Sequence, residues 1–462
     1  MADSRSEPAD LERALGRAWT DERPWNLLTR LTALPHRMGG SPAERRAAEI
    51  VRETLADAGL GEVRLAEFPM QYWQRGTTEF AVVGTEPFSA DDEPTGVDRS
   101  FEALALPYSP AGDVEGPLVD VGYGTPDEIE DADLQGGIAV ASTTTPPGQR
   151  FVHRMETYGH AVAAGAKAFI FGNHVAGQLP PTGALRFDGE AAVPGVGVSA
   201  ETHDWLTEYA DRGARARVRV DASTQAGTSQ NVHGTLGHEA ADDEVLLLAH
   251  YDAHDVTEGA LDNGCGIATV AGATAILAAI EDDLDCRVRI AGVGCEEIGL
   301  LGAEAVAETL PLESIRAVVN VDGAGRFRNL QALSHGSAAL EGLADEVASD
   351  AGQPVVHDED PHPFSDHWPF LRAGVPTLQL HSEPSEGGER GRGWGHTAAD
   401  TRDKVDPRNL REHAILTALL VRELTKATVP RIDERDLRER LREQEYEPGM
   451  HAAEIWPLEW DR

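Results

Sequence analysis

Lysine is almost absent from this chain: of 40 basic residues only Lys167, Lys404 and Lys426 are lysine, against 79 Asp and Glu, and the formal net charge is −39. A surface so rich in carboxylate repels polyanions, which argues against nucleic-acid and anionic-membrane partners. It also keeps a chain hydrated in concentrated salt, so a halophilic host is expected, with a fold that weakens where self-repulsion is unscreened. Cysteine is scarce as well. Cys265, Cys286 and Cys295 cannot all pair with one another and no CxxC spacing occurs, so they read as small buried residues of a reducing compartment. No apolar run reaches 18 residues, and the N-terminal MADSRSEPADLERAL has no charged-then-apolar leader pattern, so a cytoplasmic chain without a membrane span is expected. Neither G-x-G-x-x-G nor G-K-[ST] spacing is found, and the acidic residues beside GVGCEEIG would repel phosphate. A nucleophile elbow of the form G-x-S-x-G is missing too, which argues against a serine hydrolase.

What the chain does have is a set of carboxylates and histidines, each close to the end of an apolar run. His250 follows Val245 to Ala249, with Asp252 two residues on and Asp262 at a glycine-rich turn. VGCEEIGLLGA carries Glu296 and Glu297, VVNVDGAG carries Asp322, FSDHWPF carries Asp366 and His367, and GHTAADT carries His396 and Asp400. Most acidic residues in so acidic a chain are solvated surface, so each piece alone says little. Together they form the ligand set of a two-metal hydrolase: a bridging carboxylate and further N and O ligands around each ion. With Asp262 bridging, His250 and Asp322 complete one site while Glu297 and His396 complete the other. A metal-bridging hydroxide would then be the nucleophile. Glu296, beside a ligand but free, is placed as general base, and Asp252 as the partner that fixes the tautomer of His250. Asp366 and His367 are expected to line the substrate site, His367 as a donor to the developing oxyanion. His254, Asp255 and His381 lie near the motifs and rank below these five as ligands.

The order H-x-D, G-A-x-D-N, E-E-x-G-L-x-G, N-x-D, S-D-H and H-T-x-x-D-T resembles the M28 family of metallopeptidases, the zinc aminopeptidases and their relatives. In this chain the motifs are His250 to Asp252, Gly259 to Asn263, Glu296 to Gly302, Asn320 to Asp322, Ser365 to His367 and His396 to Thr401. The resemblance implies the same metal ligands and base as the residues themselves suggest, two zinc ions with cobalt or manganese as substitutes, and peptide substrates. It implies a doubly wound α/β fold with a mixed sheet of the zinc-exopeptidase type, in which open sheets hold ligands at the carboxyl ends of their strands. Gly323 departs from the Met found after this Asp in many relatives, which alters the pocket lining near Asp322.

Residues 76–225 interrupt the peptidase pattern and resemble a protease-associated (PA) insert. GPLVDVGYG, GGIAVAS, AFIFGN and VPGVGVSA are short β-rich runs bounded by Gly and Pro, which suit a small sandwich or barrel, with RMETYGHAVAAGA as a helix among them. His153, His160 and His174 within the insert read as surface residues. The peptidase domain would be discontinuous, 1–75 and 226–430. Ser41, Pro42, Glu44 and Gly59 give a helix with a capping box at its start and a glycine stop. Residues 431–462 form a charged helix and a tail with Trp456 and Trp460, which docks on the body or on a second copy in a homodimer. The expected activity is that of an aminopeptidase. Carboxypeptidase or dipeptidase action is the nearest alternative, because HYDAHDVTEGALDNGCG also resembles carboxypeptidase Q-like members; a glutaminyl cyclase and a non-catalytic binding protein on this scaffold rank lower.

Overall fold

The computed structural model describes residues 8–83, 98–238, 241–383 and 393–461. Residues 1–7, part of the N-terminal stretch on which the cytoplasmic expectation rests, lie outside them. The fold is mixed α/β, and the chain divides into two compact units.

The first unit comprises Met1–Met70, Gly227–Arg390 and Asp400–Arg440. Its centre is four parallel strands in the order Thr377–Glu383, Ile315–Val321, Glu244–His250 and Arg287–Val293. Residues 232–236 run antiparallel beside Arg287–Val293, and Asn329–Leu333 runs antiparallel beside Thr377–Glu383. The central strands read as unbroken apolar runs because both of their faces are covered. Val245, Leu247, Val288, Ile290, Val319 and Val321 pack into one core, while Leu246, Leu248, Ala291, Val293 and Val318 pack into another with Ala303 and Phe370. That two-sided burial is the physical content of the doubly wound arrangement.

The helix Cys265–Ala279 lies in the larger core with Pro407–Lys426, Arg23–Thr32 and Pro42–Asp57 around it. The segment Ala260–Ala279 is long and apolar enough to cross a bilayer, yet 89% of its most apolar stretch is buried inside the protein. Its hydrophobicity is therefore that of a core helix. Gly272 lets the neighbours close in, since a Cβ there would meet Ala414 Cβ at 2.8 Å and Pro24 Cγ at 3.0 Å. The helix Pro42–Asp57 starts as expected, with the Ser41 side chain accepting from Glu44 N–H. The capping box differs in one bond: Glu44 reaches past the cap and accepts from Gly40 N–H at 2.8 Å. It does so because the Ser41 N–H is already bonded to the Met38 carbonyl.

The second unit comprises Gln71–Ala226, Gly391–Ala399 and Leu441–Arg462. The insert runs do not form a sandwich or barrel. Gly112–Asp120, Ile138–Ser142, Ala168–Gly172 and Gly195–Val198 are neighbours in one parallel array. The helix Arg154–Ala163 lies in the connection between Ile138–Ser142 and Ala168–Gly172, and Ala200–Asp211 follows Gly195–Val198 and leads to the strand Arg215–Leu236. The strands Ala168–Gly172 and Gly195–Val198 are buried at every position, the mark of a parallel sheet covered on both faces. His153 is also not a surface residue: it is buried and caps the helix Arg154–Ala163 by accepting from Met155 N–H. His160 and His174 are half-buried, the latter 2.7 Å from Thr143 Oγ1.

The C-terminal tail belongs to this second unit. Its helix Tyr446–Ala452 comes so near Arg154–Ala163 that a Cβ on Gly159 would fall 2.0 Å from the Ala452 carbonyl oxygen. Trp456 and Trp460 are buried edge to face with ring centroids 5.0 Å apart. All three cysteines are buried and unpaired, in keeping with the sequence expectation.

Candidate active site

The site lies at the carboxyl ends of the central strands. His250 is the last residue of its strand, Asp322 follows the next, and Glu296 and Glu297 follow Arg287–Val293 through a turn at Cys295, whose φ is +57°. Asp262 sits in the tight turn Ala260–Gly264 that leads into the core helix, and its peptide bond to Asn263 is cis. These turns bring three ligand atoms, from His250, Asp262 and Asp322, within 4.8 Å of one another. His250 Nε2 is 3.3 Å from Asp262 Oδ1, 3.8 Å from Asp322 Oδ1 and 4.0 Å from Glu296 Oε2. The imidazole is fully buried, and neither ring nitrogen makes a hydrogen bond among the described residues. A buried, unbonded nitrogen facing two carboxylate oxygens fits a divalent transition-metal ion such as zinc.

Asp252 ties this group to the next one. Its Oδ1 is 3.4 Å from His250 Nδ1 and accepts from Glu296 N–H at 3.1 Å, while Oδ2 accepts from Glu297 N–H at 3.3 Å. Glu297 Oε2 in turn is 2.9 Å from His254 Nε2, so a histidine ranked below the five main candidates stands against one of them.

Several supporting residues were given no role by sequence reasoning. Asp400 accepts from the backbone N–H groups of Leu261 at 2.7 Å and Asp262 at 3.1 Å, which fixes the Asp262 turn. Asn263 donates to the Val321 carbonyl and accepts from Gly323 N–H, linking that turn to the Asp322 strand. Ser365 Oγ donates to Asp322 Oδ2 at 2.9 Å and Gln379 Nε2 approaches the same oxygen at 3.4 Å. The H-T-x-x-D-T and S-D-H motifs contain Asp400 and Ser365, so a signal existed; Gln379 had none.

Burial and the crowding of charges together set the protonation of the site. Burial pushes Glu296 well above the usual carboxylate range, and repulsion from Asp366, Asp322 and Glu297 adds to this against the pull of His250. Burial alone would depress His250, but Glu296, Asp252, Asp262 and Asp322 outweigh it and hold the imidazole well above its ordinary value. Burial raises Asp366 well above the carboxylate range, and neither of its carboxyl oxygens has a hydrogen-bond partner among the described residues.

His367 is fully buried, with Nε2 2.8 Å from the His362 carbonyl and its ring stacked on His335 at 4.3 Å. Burial brings it down to about 4. A neutral imidazole whose Nε2–H is given to a carbonyl presents an acceptor at Nδ1, not the donor an oxyanion needs. His381 packs its ring on Gly323, where φ is +83° and a Cβ would stand 2.4 Å from His381 Nε2. Glycine in place of Met thus lets that imidazole rest against the Asp322 loop. Asp255 is half-buried on the loop after His254. His396 lies in the second unit, where it exchanges contacts with Thr182: Thr182 N–H donates to the His396 carbonyl at 2.8 Å, and His396 Nδ1 is 3.3 Å from the Thr182 carbonyl.

Comparison with known proteins agrees with this chemistry. Residues 231–421 match Peptidase family M28 and residues 114–206 match the PA domain. The chain is 25% identical over 411 residues to Aminopeptidase YwaD of Bacillus subtilis (strain 168), covering 85% of this chain and 82% of that one. It is 27% identical over 240 residues to Carboxypeptidase Q of Bos taurus, covering 50% of this chain and 49% of that one. Its fold is similar to that of BSAP, a zinc aminopeptidase from Bacillus subtilis, with TM-score 0.67, 23% identity and coverage of 89% and 98%. With the motifs, the strand-end site and both domain matches in place, the chain carries an M28 metallopeptidase domain over residues 231–421 and a PA domain over residues 114–206.

Proposed function

We propose that this chain is an exopeptidase working with two zinc ions, with cobalt or manganese as substitutes, and that it removes N-terminal residues from peptides. The aminopeptidase relative matched along most of both chains supports that direction of cleavage. His250 and Asp322 would hold one ion, Glu297 and His396 the other, with Asp262 shared between them. Zinc bound there supplies a Lewis acid for the scissile carbonyl and lowers the pKa of water.

The residues around it do the rest. Glu296 takes a proton from the attacking water and delivers it to the leaving nitrogen; its raised proton affinity suits a group that must hold a proton between those steps. Asp252 keeps His250 in register with the Glu296 and Glu297 backbone. Asp366 and His367 border the substrate site.

The observation that carries this reading is the convergence of His250, Asp262 and Asp322 beside the Glu296 carboxyl. Cleavage from the carboxyl end, or of dipeptides, is the second reading, favoured by the match to Carboxypeptidase Q over about half of each chain. Hydrolysis of aminoacyl-anilides alongside N-blocked peptides separates the two. Cleavage confined to free-amine substrates is expected, and cleavage confined to blocked peptides would overturn the aminopeptidase assignment.

A further inference from the structure

Arg37 is among the largest fully buried side chains, 1% exposed, just ahead of the helix Pro42–Asp57. Among the described residues its guanidinium bonds only to backbone carbonyls. Nε donates to Tyr251 at 2.7 Å, Nη1 to Glu258 at 2.6 Å and Nη2 to Gly259 at 2.8 Å. A weaker bond runs to Leu31 at 3.5 Å, and the backbones of Arg37 and Ala253 form an isolated antiparallel bridge.

The three strong bonds grip both ends of one loop, the stretch from Tyr251 to Gly259 that joins His250 and Asp252 to the Asp262 turn. The Gly259 carbonyl also accepts from Gly264 N–H at 2.9 Å, so the oxygen held by Arg37 is the one that closes that turn. Asp400 holds the other side of the turn through Leu261 and Asp262. Burial lowers the proton affinity of the guanidinium, and the nearby carboxylates Asp400, Asp252, Glu297 and Asp262 raise it again. A planar fork can serve three carbonyls at once, whereas the single ammonium of lysine cannot span them. A buried cation whose three strong hydrogen bonds all go to one loop is costly to keep for stability alone.

We infer that Arg37 is a positioning residue of the metal centre, holding the 251–262 loop so that Asp262 meets His250 and Asp322 before any ion arrives. This rests on the two-zinc reading above.

The test is zinc affinity by chelator competition, with the visible spectrum of the cobalt-loaded protein as a second readout. Arg37→Lys and Arg37→Gln should each bind zinc 10- to 100-fold more weakly and change the cobalt spectrum, as loss of a residue orienting a ligand does. Lysine keeps the charge but not the fork, so failure of lysine to restore affinity is part of the expectation. Arg30→Gln, on the surface against Glu53, should bind as the unaltered protein does. Should the Arg37 variants fail to fold, Gly259→Ala disturbs the same grip from the loop side, since its Cβ would fall 2.3 Å from Ala253 Cβ, 2.7 Å from Arg37 Nη2 and 2.9 Å from the Asp262 carbonyl at a φ of +58°. Unchanged zinc affinity and cobalt spectrum in Arg37→Lys, or in Gly259→Ala where that is the variant in hand, would overturn the inference. Failure of the unaltered protein to bind zinc would instead overturn the two-zinc reading.

Discussion

Asp252 Oδ1 accepts the backbone N–H of Glu296 at 3.1 Å, which splints the turn holding the proposed base to the strand end that holds His250. The same carboxylate lies 3.4 Å from His250 Nδ1, so one side chain sets the place of a ligand and of the base together. Asp252→Asn keeps the shape but removes an acceptor and the charge. Zinc affinity and kcat/KM should each fall roughly 10- to 100-fold, the usual effect of losing a partner that orients a metal-bound histidine. Chelator competition and steady-state kinetics measure both, and unaltered values would contradict this role.

Asp262 has a different part, because its carboxylate is the one the proposal shares between two ions. Asp262→Asn should lower zinc content after dialysis, whereas a residue serving only the proton transfer would leave it intact. Elemental analysis decides, and full occupancy in the variant would count against the bridge.

A third expectation concerns acid stability. His413 is fully buried, accepts from Gly325 N–H through Nδ1 and faces the Arg328 carbonyl through Nε2. Burial brings it down to about 4, below its ordinary value near 6.5. Because the folded state resists this proton, the contribution is complete above about pH 6.5 and is lost as pH falls towards 4, up to roughly 3 kcal/mol. Glu44, pushed up to about 8 by burial, works in the opposite sense as it gains its proton. The difference between the parent protein and His413→Gln isolates the histidine. Urea midpoints at pH 7.5 and 4.5 should fall further apart in the parent, and parallel shifts would refute the argument.

Salt dependence follows from composition. With a net charge of −39 the folded chain repels itself, and ions at molar concentration screen that repulsion within a few ångströms. The melting midpoint should rise from dilute buffer to molar KCl; a midpoint independent of salt would dispose of the halophile proposal.

Much of this was written in the sequence, for a physical reason. Runs such as Val245 to Ala249 end at the residues that face the site, so the strand ends announced His250 and Asp322. The insert was harder to read, because apolar runs bounded by Gly and Pro look alike in a sandwich and in a parallel sheet. The connecting helix Ala200–Asp211, AETHDWLTEYAD, buries only Thr202 and Leu206 and shows little apolar stripe. Asp400 was visible in GHTAADT, but its role was hidden until the Leu261 and Asp262 amides were seen to point at it. Arg37 was hidden in the same way, since its partners are carbonyls more than 200 residues away in the chain.

The most direct measurement is zinc content and turnover of the parent protein and Glu296→Gln, side by side on free-amine substrates. The account predicts two zinc ions per chain in both and a kcat lower by about 10²–10⁴-fold or more in the variant. Turnover at the parent rate in Glu296→Gln, or a parent protein that binds no zinc, would contradict it.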